Sequence, residues 1–249
     1  MINDIQIGPI TIHMYGLLIA LGLYTGYTIA EKRVKKDGLD DNKLFNLFMA
    51  CMIGCLIGGK GLYCIVEFKD FIKDPIMLFD IENGFVIYGA LIGGFICGYK
   101  YCQFAGINFL KYFEYLVPSL PLAQSIGRIG CFCAGCCHGK PTDAWYGIAY
   151  TTSKIAPNNV PLIPAQLVMS ACAMVLAIFL FYVASKKPKP GIQISLYIIL
   201  YSVGRFFIEF LRSDSRGTVL FLSTSQFIAI FTLIFGAYLF NKFRKQAII

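Results

Sequence analysis

Residues 165–184 read AQLVMSACAMVLAIFLFYVA, twenty positions without one charged side chain. At 1.5 Å of rise per residue, a helix of about 20 apolar residues crosses the hydrocarbon layer of a bilayer. Working outward, seven such stretches can be counted, near 12–30, 44–66, 84–104, 109–126, 165–184, 192–211 and 219–241. The fourth is the weakest, because Pro118 and Pro121 interrupt it. Prolines inside a span are tolerated where neighbouring helices or cavity water satisfy the freed carbonyls, and a broken helix at membrane depth is a common way to build a site.

Composition points the same way. Of 249 residues, 57% are hydrophobic before the 24 glycines are added, only 14% are charged, and the mean hydropathy is +0.66. Soluble domains are roughly 25% charged, so a water-exposed globular surface is excluded. Disorder is excluded too, since it requires low hydrophobicity and high charge. The expected fold class is all-α, a polytopic integral membrane protein with seven transmembrane helices, residues 1–249 forming a single transmembrane domain. The N-terminus MINDIQIGPI lacks the basic region of a cleavable signal peptide, so the first span reads as an uncleaved anchor.

The net charge of +8 is read through its placement. Five basic residues lie in 31–43, two at Lys100 and Lys111, three at 186–189 and three at 242–245. The alternate connections carry fewer: Lys69 and Lys73, then Arg128, Lys140 and Lys154, then Arg212 and Arg216. Cytoplasmic loops collect Lys and Arg, so the N-terminus is expected outside and the C-terminus inside. Loss of the fourth span would invert everything after it. The charge therefore speaks for membrane lipid and against nucleic acid. Trp145, Tyr146 and Tyr150, in the long connection after the fourth span, suit an interfacial segment where amphipathic rings meet headgroups.

Charged side chains within spans are costly and mark a function or a partner. In GRFFIEFLR at 204–212, Arg205, Glu209 and Arg212 stand at i, i+4 and i+7, which predicts one helical face. They can form an internal ion pair with a spare arginine, or a cationic face that holds an anion through the bidentate guanidinium; the segment alone leaves both open. Arg128 in SIGRIGC adds a second arginine, flanked by Gly127 and Gly130, whose lack of a Cβ lets backbone come close to a ligand. Without matching acids, these arginines call for an anion the protein does not supply, and a phospholipid headgroup is the obvious one; taken alone, Arg128 reads better as an interfacial arginine snorkelling toward headgroups. Lys60, in the second span, is placed to pair with Glu67 or to snorkel. His13 and Tyr15 sit near the end of the first span and Tyr88 in GFVIYGALIGG of the third, where packing or interfacial roles are the ordinary ones.

The run CFCAGCCHG at 131–139 places Cys131, Cys133, Cys136 and Cys137 within seven residues, followed by His138. These are enough soft ligands for zinc or an iron–sulfur centre, and on an oxidising face the thiols would pair. The spacing lacks the two separated pairs of a zinc ribbon. Loop packing or a local disulfide ranks above metal, and no cofactor is expected.

Taken in order, these segments resemble the prolipoprotein diacylglyceryl transferase family. HMYG at 13–16, GGKGLY at 58–63, YGALIGG at 88–94, GRIGCFCAGCCHG at 127–139, PAQL at 164–167, GRFFIEFLR at 204–212 and STSQ at 223–226 each fall where that family has a motif. The resemblance implies a seven-span enzyme of the bacterial cytoplasmic membrane. It moves diacylglyceryl from phosphatidylglycerol to the lipobox cysteine in a prolipoprotein signal peptide, releasing glycerol phosphate. Carried over, Arg128 would hold the phosphate and Arg205 position the headgroup. Glu209 would orient the basic cluster, Arg212 support it, and His13 and Tyr15 line the lipid site. The resemblance also exposes departures. Tyr88 stands where the family has a functional histidine, and Cys131, Ala134 and Cys136 replace the signature's asparagines and glutamate. A tyrosine with an ordinary pKa near 10 is a poor base at neutral pH, although it can donate a hydrogen bond. A thiol-redox or metal-binding membrane protein built on the 131–137 cluster, or a non-catalytic phospholipid-binding protein, is the alternative on the same fold.

Overall fold

The computed structural model describes residues 4–7, 10–78, 84–153, 155–213, 217–219 and 221–245. Lys154 and Arg216, used above in placing the connections, lie outside these. The described chain is mostly helical: α1 Met14–Lys36, α2 Asp41–Val66, α3 Phe68–Lys73, α4 Ile87–Phe104, α5 Phe109–Leu116, α6 Ser119–Ala134, α7 Ala165–Ser185, α8 Ile192–Ile208 and α9 Thr224–Lys245. Three two-stranded antiparallel ribbons accompany them: β1 Asp4–Ile7 with β2 Ile10–His13, β3 Ile148–Ala149 with β4 Pro161–Leu162, and β5 Thr218–Val219 with β6 Leu222–Ser223. Among the described residues four helices are long and apolar enough to cross a membrane: Asp41–Val66, Ala165–Ser185, Ile192–Leu211 and Thr224–Lys245. Leu56, Ile57, Val175, Ile178, Phe207, Ile234 and Phe235 are exposed on them. So much exposed apolar surface suits lipid rather than water.

The weak fourth stretch is two helices. The break falls at Val117–Pro118, and Pro121 sits in the first turn of α6, where a missing N–H costs no helical bond. The second helix runs on to Ala134 and stops at Gly135, whose left-handed φ of 72° closes the turn. Gly127, Arg128, Gly130, Cys131 and Cys133 therefore lie on a helix and not in the connection after it, which corrects the sequence-based boundary.

The chain forms two compact units, 31–113 and a larger one made of 1–30 with 114–249. In the smaller unit α2 begins with an Asp40 cap, whose carboxylate accepts from the backbone N–H of Asn42 at 3.0 Å and of Lys43 at 3.3 Å. It packs along α4 with glycine against glycine. A Cβ on Gly58 would collide with the Gly89 carbonyl, and one on Gly93 with that of Gly54. Small residues allow this backbone approach in lipid, where apolar burial alone gives helices no reason to associate. Lys60 Nζ donates to the Gly84 carbonyl at 3.1 Å and lies over the Tyr63 ring.

In the larger unit α6, α7, α8 and α9 pack in sequence order. Ser125 and Ser170 each donate to the other's carbonyl, at 2.9 and 2.8 Å, tying α6 to α7. Gln124 donates to the Tyr197 hydroxyl at 2.8 Å, tying α6 to α8, and Ser202 meets Thr232 at 2.7 Å between α8 and α9. Glu114 accepts from the N–H groups of Gly191 at 2.7 Å and Ile194 at 3.3 Å, a carboxylate at the positive end of α8. STSQ is a reciprocal cap of α9. The Gln226 side chain accepts from the Ser223 N–H at 3.1 Å and the Ser223 hydroxyl from the Gln226 N–H at 3.2 Å.

Candidate functional site

Arg128 and Arg205 share one cavity. Its volume is about 420 Å³, and it lies among α6, α7 and α8. Arg128 and Gln124 come from α6. The walls are apolar side chains of α7, such as Leu176 and Phe179, together with Leu200, Tyr201 and Ile208 on the α8 side. Gly204 leaves space beside Arg205, since a Cβ there would meet nothing within 4 Å.

The two arginines differ in their support. Arg205 forms an ion pair with Glu209 and donates to the Ser225 hydroxyl at 2.8 Å, so GRFFIEFLR and STSQ meet at this guanidinium. Arg128 has no carboxylate partner among the described residues; its Nη1 lies 3.9 Å from Cys131 Sγ. Arg212 is buried, with Nε 3.8 Å from the same Glu209 carboxylate and Nη1 3.7 Å from Met169 sulfur. Two guanidiniums, those of Arg205 and Arg212, thus gather around one carboxylate. The prediction of a single helical face holds for Arg205 and Glu209 only. The α-helix ends at Ile208, a 3-10 turn covers Glu209–Leu211, and Arg212 is extended (φ −85°, ψ 151°) and bridges to Gly139. That bridge, with Lys140 N–H donating to the Leu211 carbonyl at 3.0 Å, replaces the last helical turn.

The remaining sequence-derived candidates divide. Tyr15 and Gly130 come together: a Cβ on Gly130 would stand 3.3 Å from Tyr15 Cα, and one on Gly127 3.8 Å from an Ile19 side-chain carbon. The room at Gly130 is occupied by the backbone of α1. His13 closes the β1–β2 ribbon opposite Asp4 and is exposed. Tyr88 opens α4 in the smaller unit, with its side chain partly exposed. Of the three aromatics expected at an interface, Trp145 is 95% exposed and packs edge-on to Tyr146, whereas Tyr150 is only 4% exposed. Tyr150 instead donates to the Phe132 carbonyl at 3.3 Å and packs with Ala156 and Leu162.

Gln166 of PAQL is fully buried; its amide donates to the Cys136 carbonyl at 2.8 Å and to the Tyr150 hydroxyl at 3.2 Å. It pins the cysteine loop to α7. All ten cysteines are free thiols. Hydrogen bonds with Cys131 and Cys136, and then the Arg212 guanidinium, hold the Cys137 thiol well below its ordinary value. Hydrogen bonds with Cys131 and Cys137, together with burial, push the Cys136 thiol up. Gln124, Gln166 and Ser225 were not singled out from sequence. A polar side chain inside an apolar span was the signal that could have found the first.

Apolar helices long enough for a membrane and an arginine-bearing cavity with apolar walls define the class, a mostly helical membrane protein. The chain belongs to the prolipoprotein diacylglyceryl transferase family, whose model matches residues 4–241. It is similar to the phosphatidylglycerol–prolipoprotein diacylglyceryl transferase of Clostridium tetani (strain Massachusetts / E88), with 48% identity over 237 residues, covering 94% of this chain and 95% of the relative. Transferase 2 of the same description from Clostridium perfringens (strain 13 / Type A) is 44% identical over 247 residues, covering 97% and 96%. That of Clostridioides difficile (strain 630) is 35% identical over 207 residues, covering 83% and 81%.

Proposed function

We propose that this chain transfers the diacylglyceryl group of phosphatidylglycerol to the lipobox cysteine thiol of a prolipoprotein. The observation that carries the reading is the pairing of Arg128 and Arg205 in one apolar-walled cavity. A phosphodiester headgroup is held by the two guanidiniums while its acyl chains lie along α7 and α8. The cysteine sulfur attacks the glyceryl carbon bound to the phosphate. A carbon–sulfur bond forms, the carbon–oxygen bond breaks, and glycerol phosphate leaves with the electron pair. The departing phosphate monoester, with a second ionisation near about 6, is able to take the thiol proton. Arg128, which has no acid partner among the described residues, stabilises the charge that grows on the leaving oxygen. Arg205, fixed by Glu209 and Ser225, positions the headgroup, and Arg212 supports Glu209. Tyr88 would serve as a hydrogen-bond donor to substrate, and His13, Tyr15, Gly127 and Gly130 would border the lipid path.

The proposed topology has seven passages, with the N-terminus outside and the C-terminus inside the bacterial cytoplasmic membrane. Besides the four long apolar helices, α1 and α4 each cross once, and α5 with α6 supplies the broken fourth passage. The charge asymmetry of the connections supports this orientation. Reporter fusions at Lys187 and after Lys245 should both read as cytoplasmic, and a periplasmic signal at either would overturn it.

Purified protein incubated with labelled phosphatidylglycerol and a lipobox peptide should release glycerol phosphate and yield a thioether-linked peptide in equal amounts. Absence of both products, where an authentic transferase yields them, would refute the function.

A further inference from the structure

We infer that Cys131, Cys136 and Cys137 form a three-thiolate site for a soft metal ion of the zinc class. The sulfurs of these three residues all lie within 4.8 Å of one another. Zinc–thiolate bonds of about 2.3 Å in tetrahedral array put sulfurs about 3.8 Å apart. Closing the site thus needs less than about 1 Å of movement by side chains that already converge.

The backbone is built to make them converge. Cys131 lies in the last turn of α6, and Gly135 ends that helix in the left-handed conformation. The N–H of Cys136 then donates to the Cys131 carbonyl at 3.1 Å, folding the chain back over the helix end. Cys137 itself has a φ of 60°, a left-handed conformation that costs a non-glycine residue about 1–2 kcal/mol. The Gln166 amide on the Cys136 carbonyl and the Gly139–Arg212 bridge hold the loop in this shape.

The surroundings suit a thiolate-rich centre. Three thiolates with a divalent ion carry one net negative charge. Arg128 stands 3.9 Å from Cys131 sulfur, and the Arg212 guanidinium lies beside Cys137. Thiolates select zinc-class and other soft ions over magnesium or calcium. Binding displaces the protons that the thiols carry. His138, next in the chain, is not in the converging set, and its Nδ1 lies 3.1 Å from the Ser213 hydroxyl. The fourth position on the ion is left to water or an exogenous ligand. Because Cys131 shares α6 with Arg128, the bound ion staples the connection to the helix that carries the proposed phosphate ligand. The inference does not depend on the transfer activity, and its test reads metal and thiols alone.

The test uses the detergent-solubilised full chain, reduced and freed of metal, titrated with cadmium chloride and with zinc chloride. Cadmium should bind one ion per chain with an ultraviolet thiolate-to-cadmium charge-transfer band, and the Cys136→Ser, Cys137→Ser double variant should bind at least 100-fold more weakly. A variant with Cys51, Cys55, Cys97 and Cys102 all changed to serine should bind as the unaltered protein does. A measurement without substitutions guards against misfolded variants: equimolar zinc should protect Cys131, Cys136 and Cys137 from alkylation, mapped by mass spectrometry. No stoichiometric ion on the unaltered protein, or protection falling on other cysteines, would overturn the inference.

Discussion

The α2–α4 pair and the α6–α7–α8 group solve one problem in opposite ways. Both must hold apolar helices together where surrounding lipid is as apolar as the helices. The first pair does so with Gly54, Gly58, Gly89 and Gly93, which bring backbone against backbone. The second group uses polar pairs, Ser125 with Ser170 and Gln124 with Tyr197, which fasten the helices at points. Between those fastenings it keeps a cavity of about 420 Å³ and two arginines. Glycine packing gives cohesion without chemistry, and polar fastening leaves room for a ligand.

Substitutions in the two regions should therefore fail differently. The largest effect is expected from Arg128→Gln or Arg205→Gln, each lowering transfer about 10²- to 10³-fold, as loss of a preorganised charge donor does. The thermal midpoint of the Arg128 variant should hardly move; a fall of less than tenfold in rate would remove that arginine from the mechanism. Next comes Gly58→Leu, which forces a side chain onto the Gly89 carbonyl and should destabilise the fold by about 1–3 kcal/mol or more. Thermal unfolding in detergent checks this, and an unchanged midpoint would show that the close helix approach is not needed. Ala173→Leu, filling the cavity from α7, should raise the KM for phosphatidylglycerol several-fold while leaving the midpoint in place. A lower midpoint with unaltered KM would reverse the contrast between the regions. The smallest change is expected for Tyr88→Phe, with turnover down about threefold to tenfold, the worth of one hydrogen bond, and lipid binding retained. Equal turnover would mean that its hydroxyl is not used.

Much of this was legible in the chain. Long uncharged runs announced membrane helices, because a bilayer sets their length and tolerates few charges. The same intolerance singled out Arg128, Arg205 and Glu209. The end of α6 was not legible: a proline-interrupted, glycine-rich stretch has weak apolar periodicity, and only the Gly135 cap shows where the helix stops. Nor was Arg212, because spacing of i+7 assumes a helix that in fact ends at Ile208. Tyr150 looked interfacial by type and is buried, with Gln166, at the start of the next helix, providing its hydroxyl with a partner.

The sequence by itself determined the solvent, the helical class and the identities of the charged residues, since these follow from local composition and the cost of charge in lipid. The tertiary structure alone decided which of those residues share a space. Arg128 and Arg205 are 77 positions apart in the chain, and they line one cavity because α6 and α8 both pack on α7. It also decided that three of four clustered cysteines converge. Sequence proximity does not fix the direction of a side chain, whereas a left-handed turn at the end of a helix does.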